Sequence, residues 1–481
     1  MKQTTLFIDG EWRQGKTQRT FSVLNPSDES IINYVSEAEA ADVNDAMEAA
    51  ARAQKSWETM PILKKSQYFK KLIALTLENR ERLAKLLTTE QGKTYNGALG
   101  EVDDTILYME NALENISRIK GDILPTLEEG DVITVEKVPY GVVVALCAWN
   151  YPLALVGRKL APALITGNTV VLKPHELTPL ATIEFFKLIE QAGFPKGVAN
   201  LITGSGVASG QDLVAHKNTR LVSVTGSVGA GKAIYKTAAD NISGLTLELG
   251  GKAPFIVLND ADIDKAVEAA VVSRYSNCGQ VCICCDMIFV QEDIKEEFTK
   301  KLLDRVKQIK VGNPMDDTTD MGPKMCRQDI EKMDRIIESS VKAGATLAYG
   351  GKKPEGEYFE KGYWYMPSVL TDVTIDMLAA QEEIFGPLLP ILSIKDFDQA
   401  VEYTNDSPYG LACYLFTENA SIIRRSSREL EVGTVFVNRA ITGHTHVYHS
   451  GHKMSGFNGE DGEYGIHDFL QKRVVYAKYN D

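Results

Sequence analysis

Positive charge is what this chain most lacks. Its 481 residues carry 52 Lys and Arg against 65 Asp and Glu, a net charge of −13. No basic stripe offsets this locally, so the electrostatic footprint of a nucleic-acid binder is missing. Long apolar runs are lacking too. The opening residues MKQTTLFIDGEWRQGK hold none long enough for a signal peptide. No window approaches the roughly eighteen apolar residues of a membrane helix. Neither a nucleic-acid nor a membrane partner is expected, and the chain reads as cytoplasmic. Cysteine is sparse and odd in number, seven in all, which argues for free thiols rather than a disulfide framework. Repeats and low-complexity tracts are absent.

What is present is the mix of a globular protein, 44% apolar and 24% charged, in a chain long enough for two or more domains. After a short hairpin-like start, the first 120 or so residues read as mostly helical, with VNDAMEAAARAQKSW and SQYFKKLIALTLENRERLAKLL at helical spacing. From Gly141 onward short apolar strands alternate with helices: GVVVALCAWNYP, LVGRKLAPALITGN, TVVLKP, PLATIEFFKLIEQAGFP, ANLITG, LVSVTG, LTLELGG. That alternation predicts a parallel sheet with crossover helices, an architecture of nucleotide-binding type. A second α/β segment starts near Leu247. It includes APFIVLND, a helix in DIDKAVEAAVVSRYS capped by Asp260 or Asp262, and LLPILSI. The C-terminal QKRVVYAKY alternates like an exposed strand that pairs elsewhere.

Two glycine-rich stretches mislead. GSVGAGKA, from Gly226, nearly fits a phosphate-binding loop, but Ala233 stands where that motif needs a hydroxyl for magnesium. GSGVASG, from Gly204, has one residue too many for a dinucleotide fingerprint. A tight strand-to-helix turn explains it equally well.

NCGQVCICCD packs Cys278, Cys282, Cys284 and Cys285 into eight residues. The C-x3-C-x-C-C spacing has no second cluster downstream, which disfavours zinc. Most of the four read as small buried apolar residues. Cys282 differs, because Glu248 in LELGGKAPF sits at the end of a buried strand. A thiol nucleophile with a carboxylate base is a workable pair.

Six segments in order, AWNYP, LKPHE, VTGS, LELGGKAPFIV, GQVC and EEIFGP, resemble the motifs of the NAD(P)-dependent aldehyde dehydrogenase superfamily. The resemblance runs from about residue 5 to the C-terminus. It implies an α/β fold with a Rossmann-like NAD-binding domain over 1–121 and 141–246. A catalytic domain follows over 247–455, with a small β oligomerisation flap from 122–140 and 456–481. It makes Cys282 the nucleophile, Asn150 the side-chain oxyanion donor and Glu248 the base that activates water. The cofactor implied is NAD. Lys173 and Glu176 would hold the adenine ribose, with Glu176 repelling a 2′-phosphate. Thr225, Gly226 and Ser227 would meet the pyrophosphate. Glu383 would hold the nicotinamide ribose, with Phe385 and Trp149 beside the ring. Members are usually tetramers or dimers, so a homotetramer is expected.

Within the superfamily the resemblance is nearest to bacterial lactaldehyde/glycolaldehyde dehydrogenases. Arg158, after WNYP, would point a guanidinium at the substrate. The second arginine of succinate-semialdehyde enzymes is replaced by Ser276. In NRAITGHTHVYHSGHK, His449 matches a substrate-side histidine of the branch. Ala440 stands where an acidic residue is usual, and His444 and His446 would make the pocket friendlier to anions. A small hydroxylated aldehyde is expected as substrate, with an anionic aldehyde such as sulfolactaldehyde or succinate semialdehyde as competitor. No metal is expected from these histidines.

Overall fold

A computed structural model describes residues 5–441 and 443–479 of the chain. Five strands form the parallel centre of its first sheet: Ala199–Leu201, Thr169–Lys173, Val142–Leu146, Leu221–Thr225 and Gly244–Glu248, side by side in that order. In chain order they stand 3-2-1-4-5. The order therefore reverses between Val142–Leu146 and Leu221–Thr225, and open α/β sheets bind ligands beyond the strand ends at such a point. These strands are β-branched and covered on both faces. Val143, Val170 and Leu172 pack with Trp57, Phe69 and Phe186, while Val144, Val171 and Val222 pack with Met47 and Val43. Each buried side chain of this kind contributes about 2 kcal/mol.

Antiparallel strands close both edges. Leu6–Ile8 pairs with Ala199–Leu201 and with Glu11–Arg13. Gly456–Phe457 pairs with Gly244–Glu248, matching Leu247 to Phe457 and Glu248 to Gly456. The expected division of the chain differs from this in two places. A boundary between 246 and 247 would cut the strand that carries Glu248. Gly456–Phe457 return to the first sheet rather than joining the flap.

The second sheet runs Thr346–Tyr349, Ser368–Thr371, Leu388–Ile394, Met287–Gln291, Pro254–Val257, Ala412–Phe416, Thr434–Val437. Only its first pair is antiparallel. A third sheet joins Asp122–Leu124, Asp131–Pro139 and Leu470–Lys478, the last two in unbroken register from Leu470 against Pro139 to Lys478 against Asp131. It exposes Ile123, Val474 and Tyr476.

The N-terminal region holds more than its apolar pattern suggests. A second hairpin joins Thr20–Leu24 to Ile31–Ser36. The apolar stretch over 66–87 is two helices, Ile62–Glu78 and Arg80–Gln91, broken at Asn79, whose ψ of 10° is not helical. Tyr95–Asn115 forms a further helix, capped by the Thr94 side chain accepting from Gly97 N–H. Of the two cap candidates before Ile263–Tyr275, Asp262 accepts from Lys265 N–H. Asp260 instead accepts from the Thr417 hydroxyl at 2.7 Å.

Candidate active site

The strand ends at the reversal point carry the predicted residues. Val142–Leu146 leads to Trp149 and Asn150, Leu221–Thr225 to Gly226 and Ser227, and Gly244–Glu248 ends on Glu248. The cysteine loop comes to them from the helix Ile263–Tyr275. Its backbone turns left-handed at Asn277, Cys278 and Gly279, with φ of 46°, 57° and 71°. At Gly279 a Cβ would lie 2.3 Å from the Gly386 carbonyl oxygen, so only glycine fits both the turn and the close approach.

This turn leaves Cys282 partly exposed and buries its neighbours. Burial pushes the Cys278 and Cys284 thiols up to about 12 and holds Cys285 well above the ordinary thiol value. Behind the loop lies a buried cluster absent from the predicted set. Lys252 Nζ donates to Asp286 Oδ2 at 2.8 Å and to the Ala379 carbonyl at 2.8 Å. Arg274 donates to the Asp286 carboxylate and, at 2.9 Å, to the Cys285 carbonyl. Its Nε donates to the Gly386 carbonyl at 2.8 Å. Asp286 also accepts from Ile384 N–H at 3.1 Å. One carboxylate thus ties the cysteine loop to the EEIFGP loop.

Asn150 Nδ2 donates to the Gln280 carbonyl at 3.0 Å, which sets the amide beside the nucleophile loop. The Asn150 carbonyl accepts from Lys93 Nζ at 2.8 Å and from Asn277 Nδ2 at 3.0 Å. Lys93 is buried and also donates to the Glu101 carboxylate, while Glu101 Oε1 accepts from Leu153 N–H at 2.8 Å. A buried ion pair therefore fixes the turn that presents Asn150. Nothing in the helical patterns of the first 120 residues marks Lys93 or Glu101 for that role.

Glu248 is buried, and its Oε2 lies 3.2 Å from His449 Nε2. Its Oε1 accepts no hydrogen bond among the described residues. Burial raises the Glu248 carboxyl above the usual range, against the opposing pull of His449. For His449 burial alone would lower the ring, but the Glu248 carboxylate and a hydrogen bond with Cys282 outweigh it and raise it to about 10. His449 thus links the predicted base to the predicted nucleophile. Strand pairing opposite Glu460 holds it in place.

Arg158 differs from its expected setting. Its guanidinium, expected to point at the substrate, is committed to carboxylates. Nε donates to Asp461 Oδ1 at 2.8 Å and lies 3.2 Å from Glu460 Oε2, and the other Asp461 oxygen is held as well. The next residue, Lys159, is fully buried and donates to the Glu460 carboxylate and, at 3.2 Å, to the Ser223 hydroxyl. Burial works against ionising Glu460, but Lys159 and Arg158 outweigh it and hold its carboxyl below the usual range. Glu460 and Asp461 fall in the segment expected to serve only the flap. Two adjacent cations in the otherwise apolar LVGRKLAPALI were the available sign that partners were needed.

His444 and His446 lie on the exposed loop before His449, with ring centroids 5.5 Å apart. No group of three or more His, Cys, Asp or Glu among the described residues could hold a metal ion.

The remaining predicted residues line the same end of the sheet. Lys173 is buried, 3.5 Å from Glu176 Oε2. Burial opposes the Glu176 charge, but His175 and Lys173 prevail and lower its carboxyl. Ser227 caps the helix Val228–Ala238, its Oγ accepting from Ala230 N–H at 3.2 Å. Glu383 accepts from Gly251 N–H at 2.9 Å, and burial, aided by Asp286, raises its carboxyl to about 7. Trp149 and Phe385 meet edge to face at 5.4 Å.

These residues suit a dinucleotide. The Thr225 hydroxyl is buried without a hydrogen-bond partner among the described residues. A Cβ at Gly250 would lie 2.5 Å from Glu383 Oε2, so the turn before Gly251 is open only because glycine stands there.

Residues 12–475 match the Aldehyde dehydrogenase family, and the chain belongs to it. It is an aldehyde dehydrogenase with that family's fold. It is 41% identical to the 3,6-anhydro-alpha-L-galactose dehydrogenase of Vibrio sp. (strain EJY3) over 481 residues, all of both chains. It is 38% identical to the lactaldehyde dehydrogenase of Escherichia coli K12 over 477 residues, 99% of each. A solved 3,6-anhydro-L-galactose dehydrogenase in complex with NAP superposes with a TM-score of 0.97 at 44% identity, over 99% of this chain and 100% of that one. No described helix is long and apolar enough to cross a membrane.

Proposed function

We propose that the protein oxidises a small neutral hydroxylated aldehyde to its carboxylic acid, with NAD as acceptor, through an adduct on Cys282. The carrying observation is the charge balance around Cys282. Arg158, Lys159 and His449 face Glu248, Glu460 and Asp461, three cations against three carboxylates. These three cations are matched to carboxylates and are not free for an anionic aldehyde, which weighs against sulfolactaldehyde and succinate semialdehyde. The two relatives named above act, by their names, on lactaldehyde and anhydrogalactose, both neutral and hydroxylated, while others at 37% identity are named for 3-sulfolactaldehyde and glutarate semialdehyde.

Lys173 and Glu176 would hold the adenine ribose of the dinucleotide. Ser227 and the bare backbone of Gly226 would take its pyrophosphate, and Glu383 its second ribose. The ionised Glu176 favours NAD over its 2′-phosphate. When bound, the nicotinamide supplies the hydride acceptor. The Cys282 sulfur attacks the aldehyde carbon, and Asn150 Nδ2 steadies the resulting oxyanion. A preorganised donor of this kind is worth about 3 kcal/mol. Glu248 then takes a proton from the water that hydrolyses the thioester, and the Cys282 sulfur leaves with the electron pair.

The test is NADH formation with lactaldehyde, glycolaldehyde, sulfolactaldehyde, succinate semialdehyde and propanal. The neutral hydroxyaldehydes should show the highest kcat/KM, and Cys282→Ala should abolish turnover while still binding NAD. A charged aldehyde ahead by tenfold, about 1.4 kcal/mol, would sink the substrate reading. Turnover by Cys282→Ala would sink the mechanism. On the same reading the protein is cytoplasmic. It assembles as a homotetramer through the sheet of Asp122–Leu124, Asp131–Pro139 and Leu470–Lys478, which light scattering would check.

A further inference from the structure

We propose that His449 is a positioning residue for hydrolysis: its ring is the counter-ion of Glu248 and holds that carboxylate against Cys282. The inference rests on the reading of Cys282 as nucleophile and Glu248 as base. It assigns His449 a role other than contact with substrate.

The geometry carries it. His449 Nε2 lies 3.2 Å from Glu248 Oε2. Both partners are fixed by backbone pairing. His449 stands opposite Glu460, and Glu248 stands opposite Gly456 and Thr225. The charged and titratable groups around the pair are few. Arg158 faces it from the helix Ala154–Ile165, with Lys159 behind on Glu460. Glu460 and Asp461 face it from the returning C-terminal segment, and Tyr448 adjoins it. Arg158 is already matched by Asp461. His449 is therefore the cation in direct contact with Glu248.

The chemistry needs such a cation. In hydrolysis a water proton passes to Glu248, the water oxygen bonds to the thioester carbon, and the carbon–sulfur bond breaks with its pair going to Cys282. Glu248 can accept that proton only as a carboxylate. Burial and Glu460 both favour its neutral acid. The imidazolium opposes them, and it faces the sulfur that regains negative charge in the same step.

Hydrolysis of p-nitrophenyl acetate tests this without cofactor or aldehyde. Its burst reports acylation of Cys282, and its steady phase reports water activation by Glu248. In His449→Asn the acidic limb of the steady phase should lie one pH unit or more above wild type, about tenfold slower at a fixed pH on the limb. His449→Lys should move it back. A limb that stays in place in His449→Asn overturns the inference. A burst that survives in Cys282→Ala, or a steady phase that survives in Glu248→Gln, overturns instead the reading beneath it. If His449→Asn does not fold, melting temperatures of wild type and Glu248→Gln at pH 6.5 and 10 decide. The drop with pH should be smaller in Glu248→Gln, and equal drops would overturn the inference.

Discussion

Two buried ion clusters flank the cysteine loop, and they are built differently. Behind it, Lys252 and Arg274 share the single carboxylate of Asp286, and the excess donors are taken up by the carbonyls of Ala379, Cys285 and Gly386. Every contact there is to backbone or to a fixed partner, so the cluster locks loops together. In front, three cations meet three carboxylates, yet Glu248 Oε1 is left without a hydrogen bond among the described residues. Unsatisfied buried oxygens are costly to folding. Such an oxygen occurs in the front cluster, among the residues proposed for chemistry, and none is found in the rear one among the described residues.

The largest effect should come from breaking the rear cluster. Arg274→Met leaves Asp286 and two carbonyls short of donors and should cost about 3–5 kcal/mol of stability, read by urea denaturation. A loss under about 1 kcal/mol would mean the rear cluster is not a scaffold. In the front cluster, Arg158→Met should lower kcat/KM about tenfold, and equally for neutral and anionic aldehydes, because its charge is spent on Asp461 and Glu460. A loss confined to anionic substrates would break the charge balance argued for this pocket.

The front cluster should also show itself in stability against pH. The His449 ring rises from the usual 6.5 to about 10 in the folded protein, after the penalty of burial is outweighed by Glu248. A raised value means a contribution fully present below about pH 6.5 and lost as pH climbs through about 10. The melting temperature should fall across that window in wild type, and less so in His449→Asn. The smallest effect lies at the cofactor end. Glu176→Gln removes a carboxylate near the expected 2′-phosphate position and should raise kcat/KM with NADP relative to NAD by up to about tenfold, while melting temperature stays within about 2 °C.

Much of this was readable from the chain. The parallel strands showed because residues buried on both faces must be apolar throughout, as in VVVAL and TVVLK. The strand-end glutamate stood out because a carboxylate is out of place in a buried strand, and Cys282 stood out through the resemblance of GQVC to a family motif. The break at Asn79 did not show, since helical spacing runs straight across it. The partners of Arg158 did not show either, because Asp461 is some three hundred residues away.

Local chemistry therefore determined the sheet strands and singled out Glu248 as an unusual carboxylate at a buried strand end, since propensity and burial act on neighbours in sequence. Tertiary structure alone decided that Arg158 is neutralised and that Lys93 and Glu101 anchor the Asn150 turn. It also decided that His449 comes to rest 3.2 Å from Glu248. Buried charges must find partners wherever the fold brings them, and the register of Gly456–Phe457 on Gly244–Glu248 brings the C-terminal segment back to the site.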